Sequence, residues 1–217
     1  HDGDPYTEGL ASSFAAAFEE MGGEIVAFEA EAKEASNVEP LLTSVAANGP
    51  EFLYYPVFAP LGPLLTNTAK EIPGLEGVFL SAADGLLSPT FLENTVGTSD
   101  GMYLSGPDLR FSNTFYEDEF LPKYREIAGG DTTAAFHAHA FDAANMILDA
   151  VEAEGVTQQA SDGTLLIGRQ ALRDALYATS GFEGITGMLT CDEFGDCANP
   201  KISVSEVQNN EFVTIWP

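Results

Sequence analysis

Hydrophobic positions along this chain alternate between two periods. After a turn-forming start, His1-Asp2-Gly3-Asp4-Pro5, the residues Leu10, Phe14, Ala17, Phe18 and Met21 recur at three- and four-residue steps. That spacing predicts a helix with one apolar face, which ends at Met21-Gly22-Gly23. The run EIVAFEA, residues 24–30, then reads as a strand, and a helix is predicted over about 38–47 with Leu41, Leu42 and Val45 inward. A strand over EFLYYPVF (51–58), a helix over about 61–72 and a short strand GVFL (77–80) continue the alternation. Ser88 followed by Pro89 reads as a helix cap with proline at the first helical position, and GMYLSG (101–106) as the next strand. Helices alternating with short apolar strands predict a parallel sheet with helices on both faces.

The character changes at Gly106-Pro107. A helix is predicted over about 113–127, followed by the longest amphipathic segment, in which Phe136, Ala140, Ala144, Ile147, Leu148 and Val151 line up. A further helix is predicted over about 168–178. The remainder reads as β structure, two strands around a turn and a last short one, with Gln208-Asn209-Asn210-Glu211 as a tight turn. The opening residues form a loop with no strand in front of them, so a strand is expected ahead of residue 1.

Composition narrows the function classes. With 45% hydrophobic residues, a chain of 217 residues buries a real core as one large domain or two smaller lobes. Eight basic residues against 34 acidic ones give a formal charge of −26, which repels phosphate backbones and anionic membranes and speaks against a nucleic-acid partner. Cys191 and Cys197 flank the turn CDEFGDC; two cysteines are too few for a structural zinc site and wrongly spaced for a redox pair. They read as a hairpin-closing disulfide rather than free thiols, and so as an oxidising compartment. No run reaches the ~18 apolar residues of a membrane span.

Several patterns that carry chemistry elsewhere are weak here. Gly97-Thr98-Ser99-Asp100-Gly101 matches a hydrolase nucleophile elbow, but with a helix before it and a strand after it, the reverse of what that motif needs. On a helix, His139 and Asp142 share a face while His137 points away, so they do not converge on a metal. The acids of CDEFGDC do not follow a calcium loop, and no glycine-rich phosphate loop occurs, so neither a metal nor a cofactor is expected. What remains are residues at the C-terminal ends of parallel strands, where open α/β sheets place ligands: Tyr6, Phe58, Ala59 and Asp84. Asp84 lies between the strand GVFL and the Ser88 cap, in an apolar, glycine-flanked turn. It is either a turn former or a ligand contact.

Taken together, HDGDPYTEGLASSFAAAFEEMGGEIV, EFLYYPVFAPLGPLL, LSAADGLLSPTFLE, GMYLSGP, AFDAANMILDAVE and FEGITGMLTCDEFGDCANPKISVSEV resemble the later part of the type I periplasmic solute-binding proteins. The chain is most similar to the branched-chain amino-acid-binding subunits of ABC importers, the leucine/isoleucine/valine-binding group. The resemblance implies an α/β fold of two doubly wound parallel-sheet lobes joined by a hinge, closing on a ligand. Residues 1–106 then form the second lobe without its first strand, 107–198 the C-terminal part of the first lobe, and 199–217 closing strands that return towards the second lobe. The N-terminal part of the first lobe, with the serine and threonine loops that grip a ligand carboxylate, is expected to be missing.

By the same resemblance, Asp84 falls where amino-acid-binding members carry an acid facing the ligand ammonium. Tyr6 and Phe58 fall at cleft-lining positions, and Phe136 where an aromatic covers the ligand's aliphatic part. Ala59 departs from the tyrosine of the best-known members. Aromatic residues at such spacings also build cores. The expected function is extracytoplasmic capture of an amino acid for ABC permease subunits, without catalysis. The setting is periplasmic or extracellular, with a lipid anchor through the missing part as one expectation. The alternatives are a receptor's ligand-sensing domain, a binding protein for amides, urea or aromatic acids, or, further off, a hydrolase using Ser99 or a histidine-carboxylate pair. The helices near 134–153 and 168–178 have apolar faces that, in the family, pack on a sheet built largely from the missing part. Cover from that part or from self-association is therefore expected.

Overall fold

The structure, a computed structural model, describes residues 1–111, 113–197 and 201–217. The chain divides into two compact units, His1–Pro107 with Ile202–Pro217, and Asp108–Lys201. Gly106 and Pro107, expected at a crossover, are the last residues of a strand paired with Ser203 and Ile202; the expected boundary at 198–199 lies outside the described residues.

The first unit opens with helix α1 (Pro5–Glu20), which starts inside the stretch that the sequence pattern marks as a turn-forming loop. Asp4 is its N-cap, its carboxylate accepting from the Tyr6 N–H at 2.9 Å, and Pro5 needs no partner for a missing N–H. Helix α2 (Glu39–Ala46), strand β1 (Phe52–Tyr54), helix α3 (Leu61–Ala69) and strand β2 (Phe79–Ala82) follow. A single 3₁₀ turn (Asp84–Leu86) then leads to α4 (Pro89–Asn94), whose cap Ser88 accepts from the Phe91 N–H at 3.2 Å.

Strand β3 (Tyr103–Pro107) pairs parallel with β2, as β2 does with β1. The strands expected over 51–58, 77–80 and 101–106 thus appear, each shorter than or offset from its pattern. Beyond β3 the sheet turns antiparallel. After the second unit the chain returns as β8 (Ile202–Gln208), which pairs with β3, and β9 (Glu211–Trp216) completes a five-stranded order β1-β2-β3-β8-β9. Asn209 and Asn210, at φ of 53° and 63°, make the two-residue left-handed turn that the right-handed twist of a hairpin favours. Helices and sheet meet in a core that includes Leu42, Val57, Leu61, Leu86, Phe91 and Leu104. Burying each contributes roughly 1.5–3 kcal/mol.

One expected strand is absent. Residues 24–30 run without sheet pairing, because the alternation of EIVAFEA makes a strand only where a neighbour supplies hydrogen bonds. The predicted face of α1 is corrected in part as well. Its fully buried positions are Thr7 and Ala11, while Met21, just past the helix end, is exposed.

The second unit contains a π-helical turn (Tyr116–Phe120) running into α5 (Leu121–Ala128), then α6 (His137–Glu152) and α7 (Arg169–Tyr177). Two small hairpins join them: β4 (Thr157–Gln159) with β5 (Leu165–Ile167), which the sequence pattern missed, and β6 (Phe182–Gly184) with β7 (Gly187–Leu189). Its core gathers Phe120, Leu121, Ala138 and Ile185 with flanking aromatic rings. Helix α6 is present, but the face that its periodicity marks as apolar is open: Phe136, just ahead of it, Ile147 and Leu148 are all exposed, whereas Ala138, Asp142, Met146 and Ala150 are buried. Cys191 and Cys197 form the expected disulfide, and the Thr190 N–H donates to the Cys197 carbonyl across the base of the loop at 3.2 Å.

Candidate ligand-binding site

The C-terminal ends of β1 and β2 and the first turn of α1 bring three of the sequence-predicted residues together in the first unit. The Tyr6 hydroxyl donates to Asp84 Oδ1 at 2.7 Å, across 78 positions of chain, and the Tyr6 ring stacks on Phe58 with centroids 6.0 Å apart. Asp84 is half-buried, and among the described residues its second carboxylate oxygen has no hydrogen-bond partner. A carboxylate oriented by one donor and open at its other oxygen is suited to a cation, above all an ammonium, which brings several N–H donors of its own.

Tyr54, at the end of β1, belongs to the same group, although its alternating strand pattern did not separate it from core. Burial first, and then the charge of Asp84, pushes its phenol up to about 12. Burial, followed by the hydrogen bond to Asp84 and the Asp84 charge, raises Tyr6 as well. Both phenols therefore stay protonated at ordinary pH, and Tyr6 acts as a neutral donor to the carboxylate. The Lys33 ammonium lies 5.1 Å from the Phe58 ring centroid, within cation–π range.

Two further residues support this arrangement. Asp2 is buried, and its carboxylate accepts from the Thr7 hydroxyl, the Asp4 N–H at 3.1 Å and the Phe58 N–H at 3.4 Å, tying the start of α1 to the loop after β1. Burial works to raise its pKa, but those hydrogen bonds and the Lys33 charge outweigh it and hold Asp2 below its usual 3.8. Because the folded value lies below the unfolded one, its stabilising effect is complete above the unfolded pKa and is lost as pH falls through the folded value. Asp2→Asn is expected to lower the unfolding midpoint at neutral pH and to flatten the acid-side decline. Parallel pH-stability curves for the two proteins would contradict this.

Gly85, next to Asp84, answers the question of the glycine-flanked turn. A Cβ there meets Phe58 Cδ1 at 2.8 Å and the Val57 carbonyl at 2.9 Å. Gly85→Ala is expected to cost about 1–3 kcal/mol and to displace Phe58 from Tyr6. Thermal unfolding and near-ultraviolet circular dichroism check both effects, and an unshifted midpoint with an unchanged aromatic spectrum would contradict them.

The other candidates lie elsewhere. Ala59 is exposed and offers only a methyl group. Phe136 belongs to the second unit, is 46% exposed and lies edge-on to His139 at 5.5 Å. Ser99 is 1% exposed and bonds to the Thr95 carbonyl at 3.2 Å, a buried loop hydroxyl rather than one presented at a strand end. His137 Nε2 lies 2.6 Å from the Tyr116 hydroxyl, while Asp142 accepts from Ile185 and Thr186, so the two bond to different partners. No group of three or more His, Cys, Asp or Glu able to hold a metal occurs among the described residues. No described helix is long and apolar enough to cross a membrane.

The sequence model of the family described as "Periplasmic binding protein" matches residues 1–210. The chain belongs to the periplasmic binding protein family. Solved structures share its fold. A leucine-binding protein from Thermotoga maritima is 23% identical with a TM-score of 0.79 over 97% of this chain and 56% of its own. A branched-chain amino-acid transporter substrate-binding protein from Streptococcus pneumoniae, solved with isoleucine, is 19% identical with a TM-score of 0.75 over 99% of this chain and 57% of its own. An ABC-transporter solute-binding protein from Rhodopseudomonas palustris, solved with benzoate, is 18% identical with a TM-score of 0.71 over 96% and 54%. This periplasmic binding protein thus spans little more than half the length of those relatives, and they show the type I fold. No curated protein matches its sequence significantly.

Proposed function

We propose that this chain is the ligand-binding part of an extracytoplasmic solute-binding protein that captures an amino acid for an ABC permease, binding without catalysing a reaction. The observation that carries the reading is the Asp84 carboxylate, oriented by Tyr6 through Oδ1 and open at its other oxygen. An α-ammonium group pairs with that oxygen, and the stacked rings of Tyr6 and Phe58 offer apolar surface to the rest of the ligand. Solved relatives that bind leucine or isoleucine support the choice of an amino acid, and the disulfide supports an oxidising, extracytoplasmic setting. A branched-chain or similar side chain is the favoured ligand, with Ala59, the chain neighbour of Phe58, assigned to a contact with it.

A second reading, capture of an aromatic or other carboxylic acid, draws on Lys33, whose ammonium sits over Phe58 beside the same rings, and on the relative solved with benzoate. A thermal-shift screen of aliphatic amino acids against benzoate, short amides and urea decides between them. Saturation at about 100 times the dissociation constant adds ~2.7 kcal/mol of stability. A shift with leucine, isoleucine or valine supports the first reading. A shift with benzoate alone overturns it in favour of the second.

A further inference from the structure

Lys33 is surrounded by acids in the sequence, yet it does not pair with them. It follows Glu29-Ala30-Glu31-Ala32 and precedes Glu34, so three glutamates lie within four positions of it. Among the described residues its ammonium meets no carboxylate at ion-pair distance, and it stands instead 5.1 Å from the centre of the Phe58 ring. The Glu31 carboxylate is engaged locally, accepting from the Ala32 N–H at 2.8 Å. An exposed ion pair and an exposed cation–π contact are of similar small worth, so the backbone decides which one forms. Here the Ala35 N–H donates to the Ala32 carbonyl at 2.8 Å and closes a turn with Lys33 and Glu34 at its centre.

That turn belongs to the binding end of the unit. The His1 carbonyl accepts from the Glu31 N–H at 3.0 Å, and the next residue, Asp2, accepts from the Phe58 N–H at 3.4 Å. Two consecutive residues thus join the Lys33 loop to the loop after β1. Phe58 stacks on Tyr6, and Tyr6 donates to Asp84. A cation therefore lies at one ring of the stacked pair and a carboxylate at the other. The charge of Lys33 reaches the buried Asp2, but Asp2 is satisfied without it: Oδ1 accepts from the Thr7 hydroxyl and the Asp4 N–H, and Oδ2 from the Phe58 N–H.

We propose that Lys33 gives this site a second class of ligand, amino acids whose side chain ends in a carboxylate. The ammonium pairs with Asp84 and the side-chain carboxylate with Lys33 Nζ, across the rings of Tyr6 and Phe58. The inference rests on the reading of Asp84 as the partner of an ammonium group. An aliphatic amino acid uses Asp84 and the rings, and a simple carboxylic acid uses Lys33; a ligand with both charged ends engages both. Three N–H donors on a flexible stem let the lysine turn from the ring to a carboxylate. The formal charge of −26 opposes an anionic ligand at long range. That field is screened beyond about 8 Å at physiological ionic strength, and within this distance the local cation decides.

Calorimetry with glutamate, aspartate and leucine tests the proposal on the full chain and on two variants of the exposed Lys33. Lys33→Met keeps the length of the side chain and removes its charge, whereas Lys33→Arg keeps the charge. Leucine and at least one of the two acids are expected to bind the parent. Lys33→Met is expected to weaken the acid by roughly 10- to 100-fold and leucine by less than about threefold, with most of the affinity retained in Lys33→Arg. Leucine binding with neither acid overturns the inference and leaves the amino-acid reading standing, whereas binding of none of the three removes that reading and the inference with it. Unchanged binding of the acid in Lys33→Met, an equal loss for leucine, or the same loss in Lys33→Arg would each make Lys33 a support for its loop and overturn the proposal.

Discussion

Asp84→Asn is expected to weaken the proposed capture of an aliphatic amino acid by roughly 10- to 100-fold, to be checked by calorimetry against the unmodified protein. The figure follows from removing the charge from one charge-assisted hydrogen bond, worth about 1.5–3 kcal/mol, at about 1.4 kcal/mol per factor of ten. Asparagine keeps the size of the side chain and an oxygen for the Tyr6 hydroxyl to donate to at the 2.7 Å position. The stack of Tyr6 on Phe58 is therefore expected to survive, and the loss falls on the ammonium group alone. Tyr6→Phe makes the complementary cut: the ring remains, the orienting donor goes, and a loss of about 1 kcal/mol is expected. Equal affinity of the Asp84→Asn protein and its parent would reduce Asp84 to a turn residue, whereas tighter binding of a carboxylic acid in that variant would point to Lys33 as the ligand's partner.

The legible parts of the fold are those whose physics is local. Ser88-Pro89 specifies a helix start by capping chemistry that needs no distant partner, and α4 begins there, whereas the equivalent Asp4-Pro5 start of α1 reads in the sequence only as a turn. Asn209-Asn210 specifies its turn because asparagine tolerates the left-handed region. The readings that changed concern partners. EIVAFEA has a strand's alternation, but a strand exists only where a second backbone meets it, and over Ile25–Phe28 none does. In α6 the periodicity of Ile147 and Leu148 with Phe136 identified a helix correctly, yet no periodicity says which face is covered.

The site divides along the same line. Asp84, Tyr6 and Phe58 were picked out by their positions after strands, and they do meet. Tyr54 was hidden within a strand, and Asp2 looked like an ordinary turn former. Its role as a buried acceptor for Phe58 depends on a contact across 56 positions, which no local pattern carries.

In the second unit the largest expected loss of stability comes from Asp142→Ala. Asp142 is 2% exposed, and its two oxygens accept from the Ile185 N–H at 2.8 Å, the Thr186 N–H at 2.8 Å and the Thr186 hydroxyl at 2.7 Å. Those bonds fasten the middle of α6 to the turn between β6 and β7. Ile185, at that turn, is part of the aromatic core of the unit. Truncation leaves two backbone donors facing an apolar side chain, at about 1–3 kcal/mol each, so a total of roughly 3–5 kcal/mol is expected. That is a large share of the ~5–15 kcal/mol by which domains are ordinarily stable.

Gly184 tests the same junction from the other side, since a Cβ there runs into the Asp142 carboxylate and forces it off its donors. Gly184→Ala should therefore reproduce much of the Asp142→Ala defect, and the double variant should cost less than the sum of the two because both break one set of bonds. Denaturant titration measures the three costs, and hydrogen exchange at Ile185 and Thr186 locates them. Strict additivity, or a midpoint unmoved by Asp142→Ala, would mean that water replaces the carboxylate and that α6 is held by its apolar contacts alone.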